Sequence, residues 1–359
     1  MLVDAVADRK ESVLRPPSPT VTVAGDRDRG DWETFIAGRL DAAGYHAWAW
    51  RDVFERTFGH ACIYLIAREP GRSGITGVLP LVEIRSWMFG RTMTSLPVVN
   101  YGGVVAESEP VARSLLAFAR ELAGTRGCRH VELRHVDRRF DDLPFKQHKV
   151  TMRLPLAPGL WDRLDRKVRN QIRKAMKSDL SVERGGAELL GEFYPVFARN
   201  MRDLGTPVYT RRLFEEVLRA FPDRARLVIV RLKTQPIAGG LTFRTGQMVE
   251  VPWASSIHDY NALCPNHLLY WSVIETAIAE KCTTLDFGRS TPNEGTYKFK
   301  AQWGAMAVPL HWEYCLLRED TIPDQSPKNP KLRLLVAAWK RLPLWAANLI
   351  GPHIVRSIP

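Results

Sequence analysis

The sequence predicts an α/β fold of the α+β type: two copies of one unit in tandem, each a mixed sheet flanked by helices. Three observations predict it. Runs with strand-like alternation are interleaved with runs of helical period along the whole chain. A self-similarity recurs at an offset of 154 residues, which sets Cys128 on Cys282, Glu121 on Glu275 and Ala123 on Ala277. The chain has 359 residues, 45% of them hydrophobic and 25% charged, enough to fill two cores of ordinary size.

The elements follow in order. A short strand at 20–23 opens the first unit, and Asp31 reads as the N-cap of a helix with Trp32, Phe35, Ile36 and Leu40 at helical spacing. A second helix covers 50–58, and strands follow at 61–68 and 77–85. Pro80 withholds an N–H from the second of these, which demotes its middle or places it at a sheet edge. The run 96–105 reads as a strand, 110–125 as a helix and 128–135 as a strand. At the common offset 131–133 lands on 285–287, and 96–99 lands on 250–253, so both members of each pair are expected to be strands.

The second unit begins near residue 151. A basic helix at 160–178 leads to a strand at 180–184 and to helices at 188–204 and 211–221. Strands at 226–232, 237–245 and 248–255 precede a helix at 266–280, a buried strand at 283–287 and a last strand at 312–317. The expected division is a loose tail at 1–18, units at 19–150 and 151–317, a proline-rich linker at 318–330 and an amphipathic helical segment at 331–359. That last segment sets Leu334, Leu335, Val336, Trp339, Leu344, Trp345, Leu349 and Ile350 among Lys331, Arg333, Lys340 and Arg341. Packing on its own domain or lying on a membrane surface would both produce this pattern.

The totals narrow the function. The formal net charge of +12 favours an anionic partner. The five cysteines (62, 128, 264, 282 and 315) are dispersed and contain no CxxC pair, which fits thiols of a reducing compartment. The N-terminus has no apolar signal core, and no run of about 18 apolar residues exists. A cytoplasmic protein is expected, with peripheral contact at the inner membrane as the alternative. His130 and His135 are five apart on one strand and face opposite sides, so no metal site is expected. Neither an HExxH helix nor a GxSxG elbow occurs.

Chemistry concentrates in TLDFGRSTPNEGTYKFKAQWG, residues 284–304. A buried strand there breaks into a polar loop and resumes at 297–300 as strand or short helix. Asp286, Arg289, Tyr297, Lys298, Lys300 and Trp303 fall together at the end of that strand, where α/β folds place sites. A solvated loop with a local Asp286–Arg289 pair is the alternative. The basic helix sets Arg169, Arg173 and Lys174 among further cations around an apolar stripe, and like charge on one helix points to phosphate binding. Ser255 and Asn266, where a strand ends and a helix begins, offer donors near a helix N-terminus. Ser255, His258 and Asp259 stand too close in sequence to form a nucleophilic triad.

Several of these segments resemble a known family. FKAQWG (299–304) is similar to the FKxxFG ending of the Fem peptidoglycan-bridge aminoacyltransferases, and LDFGRS followed by YK to the related domain of the GNAT superfamily. KVRNQIRKAMKSDL, NMRDLGTPVY and VPWASS resemble the FemAB-related subgroup associated with exosortase/PEP-CTERM systems of exopolysaccharide producers. The resemblance covers about residues 20–317. It implies two tandem GNAT-like domains and transfer of an acyl or aminoacyl group to an amine on a peptidoglycan-like or exopolysaccharide precursor. It places the functional lysine at Lys300, with Lys298 as backup. From the residues themselves, Asp286 is expected to orient that lysine or take the amine's proton, and substrate contacts are expected at Arg289, Tyr297, Lys298, Trp303, Tyr209 and Trp253. No bound cofactor is implied. The co-substrate is acyl-CoA or aminoacyl-tRNA, and the partner an anionic small molecule or lipid-linked glycan. The chain departs from both donor patterns. It lacks the long helical hairpin of tRNA-using Fem proteins, and Gln235-Pro-Ile-Ala-Gly-Gly240 has the wrong spacing for a Q/RxxGxG/A pyrophosphate loop. A non-catalytic protein that binds an anionic glycolipid is the alternative reading.

Overall fold

The computed structural model describes residues 18–87, 90–323 and 330–358, with the backbone alone described over 330–334. One succession of eight elements is laid down twice. In the first half it is β1 (Thr20–Val23), α1 (Arg29–Ala37), α2 (Ala49–Phe58), β2 (Ala61–Arg68), β3 (Gly77–Ser86), β4 (Gly90–Thr94), α3 (Glu109–Thr125) and β6 (His130–His135), with a two-residue β5 (Val105–Ala106) beside β3. In the second half it is β8 (Leu180–Gly185), α6 (Leu190–Leu204), α7 (Arg211–Ala220), β9 (Ala225–Leu232), β10 (Gln235–Thr245), β11 (Met248–Ser256), α8 (Pro265–Ala279) and β12 (Thr284–Ser290). The second half is preceded by α4 (Leu160–Arg163) and α5 (Arg166–Met176), and followed by α9 (Gly295–Ala301). The repeat expected from the 154-residue offset is therefore a repeat of structure.

Two further strands join the halves. β7 (Phe145–Pro155) follows β6 in sequence but pairs with β12. β13 (Met306–Leu316) follows β12 but pairs with β6. The two strands then pair with each other. The result is one continuous sheet in the order β1-β2-β3-β4-β6-β13-β7-β12-β11-β10-β9-β8. Each unit thus lends its last strand to the other, and residue 150 lies inside β7.

Three cores lie against this sheet. On one face α1, α2, α6 and α7 close a single cluster across both halves, in which Trp32, Trp50 and Phe54 meet Phe193, Phe214 and Trp253. On the other face α3 covers the first half through Leu115 and Ala119. There α5 and α8 cover the second half through Val168, Ile172, Leu269 and Ile274. Burial of each such large side chain contributes about 1.5–3 kcal/mol.

Local chemistry explains where the elements differ from expectation. Helix α1 begins at Arg29, so Asp31 is in its first turn and pairs with Arg68 at 3.0 Å instead of capping. The run 96–105 is not a strand: Leu96 and Val98 have φ of 55° and 73°, which no strand tolerates. The basic helix is two helices, because the Asp165 side chain accepts from Lys167 N at 2.7 Å and starts α5 afresh. Pro80 sits where the sheet needs no donor, since β4 begins its pairing at Val82 and β5 reaches only to Val78. The five cysteines are free, four of them buried.

Beyond β13 the chain returns as α10 (Pro330–Trp339) and α11 (Leu344–Val355). Helix α11 buries Ala346, Ala347, Gly351 and Val355 against the body, while Trp345, Leu349 and Ile354 remain exposed. Of the expected linker, 324–329 lies outside the described residues, as do the side chains of Lys331, Arg333 and Leu334. Among the described residues no helix is long and apolar enough to cross a membrane.

Candidate active site

The site begins where two parallel strands part. β11 and β12 pair only from Met248–Glu250 to Thr284–Asp286, yet β11 runs on to Ser256 and β12 to Ser290. A bulge in β12 turns it away. Its register against β7 slips between Asp286 opposite Arg153 and Arg289 opposite Thr151. Gly288 makes this bulge: its φ is 74°, and a Cβ there would stand 2.9 Å from the Val251 carbonyl oxygen. Its N–H donates to Asp286 Oδ1 at 2.8 Å.

Lys300 reaches this fork from α9. Its Nζ donates to the carbonyls of Gly288 at 2.9 Å and Arg289 at 3.0 Å, and the side chain is 7% exposed. Burial pushes its ammonium down to about 8, against the pull of Asp286 and Glu250. The segment 297–300 is helical, so Lys298 does not share a face with Lys300 as it would on a strand. Lys298 is exposed while Lys300 is buried.

Asp286 is fully buried and accepts from Thr151 Oγ1 at 2.5 Å, Gly288 N at 2.8 Å and Arg153 Nε at 3.3 Å. It makes no hydrogen bond to Lys300 among the described residues, and its ion pair is with Arg153 rather than Arg289. It acts on Lys300 through space.

Glu250 was missed in the sequence. It lies opposite Asp286 in the parallel register and is 3% exposed. Asn100 Nδ2 donates to it at 2.5 Å and the Tyr101 hydroxyl at 3.4 Å, so a loop of the first half is bound to the centre of the second. Burial first, and then the charge of Asp286, push its carboxyl up to about 8. The signal was present: an acid interrupts the otherwise apolar MVEVPW of β11. Arg153 was missed with it, because nothing in sequence ties it to Asp286.

The remaining candidates divide between the two faces of the sheet. Arg289 lies over the Trp312 ring at 5.4 Å, and the half-buried Tyr209 stacks on Phe197. Trp253 is buried edge-on against Phe214, and Ser255 accepts from Asn200 at 3.0 Å. On the opposite face Asn266 donates to Ser256 Oγ at 2.8 Å from the second position of α8, whose N-cap is Cys264. Trp303 is buried and stacks on His267, and Tyr297 packs against the same core. Lys298, Phe299, Gln302 and Trp303 face Arg163 and Lys167 across a cleft of about 830 Å³. Along α5, Arg173 stacks over Trp161 at 5.3 Å, Lys174 is exposed and Arg169 is half-buried. His135 donates from Nδ1 to Glu313 at 2.5 Å and accepts from Val104 N at 2.9 Å, so it is fully engaged within the fold.

Comparison with known proteins agrees with this architecture. Residues 163–301 match the acetyltransferase (GNAT) domain family. The crystal structure of FemX is similar at a TM-score of 0.64 and 14% identity, over 83% of this chain and 98% of FemX. The C-terminal domain of a putative lysylphosphatidylglycerol synthetase from Agrobacterium fabrum follows at 0.54 and 13%, over 87% of this chain and 95% of that domain. A tandem GNAT protein from the clavulanic acid biosynthesis pathway gives 0.53 and 12%, over 82% and 97%. No curated protein matches the chain. Residues 163–301 thus form a domain of the acetyltransferase (GNAT) type, and the fold of the chain is that of FemX and of the tandem GNAT protein.

Proposed function

We propose that this protein transfers an acyl group from an activated donor to an amine on a cell-envelope or exopolysaccharide precursor, as the exosortase-associated resemblance implies. The observation that carries this reading is Lys300, a desolvated amine held by two carbonyls where β11 and β12 separate. An ammonium has three N–H donors. Two are engaged, and the third is available to an oxygen entering the fork.

The acceptor nitrogen attacks the acyl carbonyl carbon and a C–N bond forms. The carbonyl oxygen takes the negative charge, which the third Lys300 N–H stabilises. Collapse breaks the bond to the leaving group, and the amine's proton leaves with the departing thiolate or alkoxide. Acyl-CoA is the favoured donor, because the matched domain family is one of acetyltransferases. Aminoacyl-tRNA is the second choice. The exposed Trp345, Leu349 and Ile354 support a place at the inner membrane surface, because the chain carries no acidic residue after Asp324 while Lys340, Arg341 and Arg356 flank that apolar face.

Lys300→Met should lower turnover by about a hundred-fold or more with the fold intact by circular dichroism, and Lys300→Arg should restore only part of it. Near-normal turnover of Lys300→Met would remove the lysine from the mechanism. Mass spectrometry of co-purified ligands separates the donors: a CoA thioester supports the favoured choice and a bound tRNA displaces it.

A further inference from the structure

Beside the fork, on the face shared by the two halves, stands a cation without a counter-ion. Among the described residues no carboxylate, carbonyl or hydroxyl accepts a hydrogen bond from the Arg289 guanidinium. It lies over the Trp312 ring at 5.4 Å. The acid whose charge reaches it cannot serve it. Glu132 is held by Arg134 at 2.7 Å, and Arg134 lies over the same Trp312 ring at 4.2 Å and donates to the Val99 carbonyl at 3.1 Å. Two guanidiniums thus share one indole, and only one of them is neutralised.

The surroundings add more positive charge. His148 meets the Trp312 ring edge-on at 5.1 Å and is held neutral by burial and by Lys149, Lys146 and Arg289. Burial, and next the charge of Arg134, draw the Arg289 guanidinium below its ordinary range. The Trp312 indole N–H is buried without an acceptor, and the Tyr209 hydroxyl lies near enough to feel the charges of Arg289 and Arg134. A half-buried cation beside a second cation costs stability unless something anionic completes it. The side chain is half-buried rather than sealed, so a ligand can reach it.

We propose that Arg289, together with the Tyr209 hydroxyl and the aromatic face of Trp312, seats a phosphate group carried by the acceptor. The guanidinium fork presents parallel N–H donors that match phosphate oxygens, and a double negative charge balances the local surplus better than a carboxylate. The word acceptor rests on the acyl-transfer reading, because Lys300 donates to the backbone carbonyl of this same residue. The phosphate comes either from a soluble phosphate ester or from the headgroup of a lipid-linked precursor.

The test measures binding without turnover. Inorganic phosphate and pyrophosphate are titrated calorimetrically into the full-length protein. The wild type should bind, Arg289→Gln should bind about ten-fold more weakly or not at all, and Arg289→Lys should fall between them. The titration needs no turnover, so loss of catalysis in Lys300→Met and loss of the phosphate seat in Arg289→Gln are read separately. Arg289→Gln should also melt at a higher temperature than the wild type, because it removes an unpaired desolvated charge; a purely structural arginine would give the opposite shift. Displacement of bound phosphate by phosphatidylglycerol vesicles assigns the lipid source, and absence of displacement assigns the soluble ester. Binding that is equal in wild type and Arg289→Gln, or a wild type that takes up no phosphate even at millimolar concentration, overturns the proposal.

Discussion

At the fork Lys300 and Glu250 are both shifted toward neutrality, in opposite senses. Lys300 is drawn down to about 8, so at neutral pH it still carries its proton but holds it weakly. If that proton stabilises the oxyanion, kcat should fall as pH rises through about 8. A rising limb in that range would instead make the neutral amine the acting form. Glu250 is pushed up to about 8 from 4.5. A carboxyl with a raised folded pKa binds more protons folded than unfolded. Its contribution is complete below about 4.5 and is lost progressively as pH climbs to about 8. Glu250→Gln keeps an acceptor for Asn100 and abolishes the titration. Thermal melts of that variant should therefore flatten across this window and sit a few degrees higher than wild type at pH 8. Melts as steep as the wild type's would mean that Glu250 is ionised in the folded state.

Single elements govern where these residues stand. The bulge at Phe287 and Gly288 parts β12 from β11 and turns two carbonyls toward Lys300. Gly288→Ala places a methyl against the Val251 carbonyl at a φ of 74°. It should cost about 1–3 kcal/mol in denaturant titration and reduce turnover more than that loss of folded protein explains. A variant with unchanged midpoint and turnover would show that the fork does not depend on this glycine. α9 makes the second contribution. Its helical turn hides Lys300 and exposes Lys298 to the cleft beside α5, so two lysines two positions apart meet different surroundings. Along α5 Arg169 is half-buried, while Arg173, over the Trp161 ring at 5.3 Å, and Lys174 are both exposed.

In the whole molecule, the exchange of β7 and β13 joins two repeated units into one sheet. The C-terminal helices then brace the loop before α7. The Arg202 guanidinium donates to the Leu342 carbonyl at 3.1 Å, and a Cβ on Gly351 would stand 2.9 Å from Val208 N. That loop continues into Tyr209, so the tail sits behind the proposed phosphate seat. Deleting residues 328–359 should lower the melting temperature by about 5 °C, taking roughly 2–4 °C per kcal/mol lost. Trp345→Ser with Leu349→Ser should leave the melting temperature alone and abolish binding to anionic vesicles. Unchanged vesicle binding in the double variant would confine the tail to its packing role.

The sequence by itself determined most of the elements, because strand alternation, helical period and the turn residues between them are local properties. It also carried the duplication, since Cys128 and Cys282 with their neighbouring helices and strands keep one offset. Lys300 was legible through the FKAQWG segment, and Asp286 through its place at the end of a buried strand. Only the tertiary structure decided which strand pairs with which, because the β7–β13 exchange leaves no periodic trace in either strand. It alone joined Glu250 to Asn100 and Tyr101, about 150 residues away, and gave Asp286 to Arg153 instead of the nearby Arg289. The physical reason is common to these cases. A buried charge is paired by whichever group the sheet brings within hydrogen-bond reach, and spatial neighbours across a sheet are set by strand order and register. Arg289 is the one left over: sequence supplied the cation, and the fold withheld its partner.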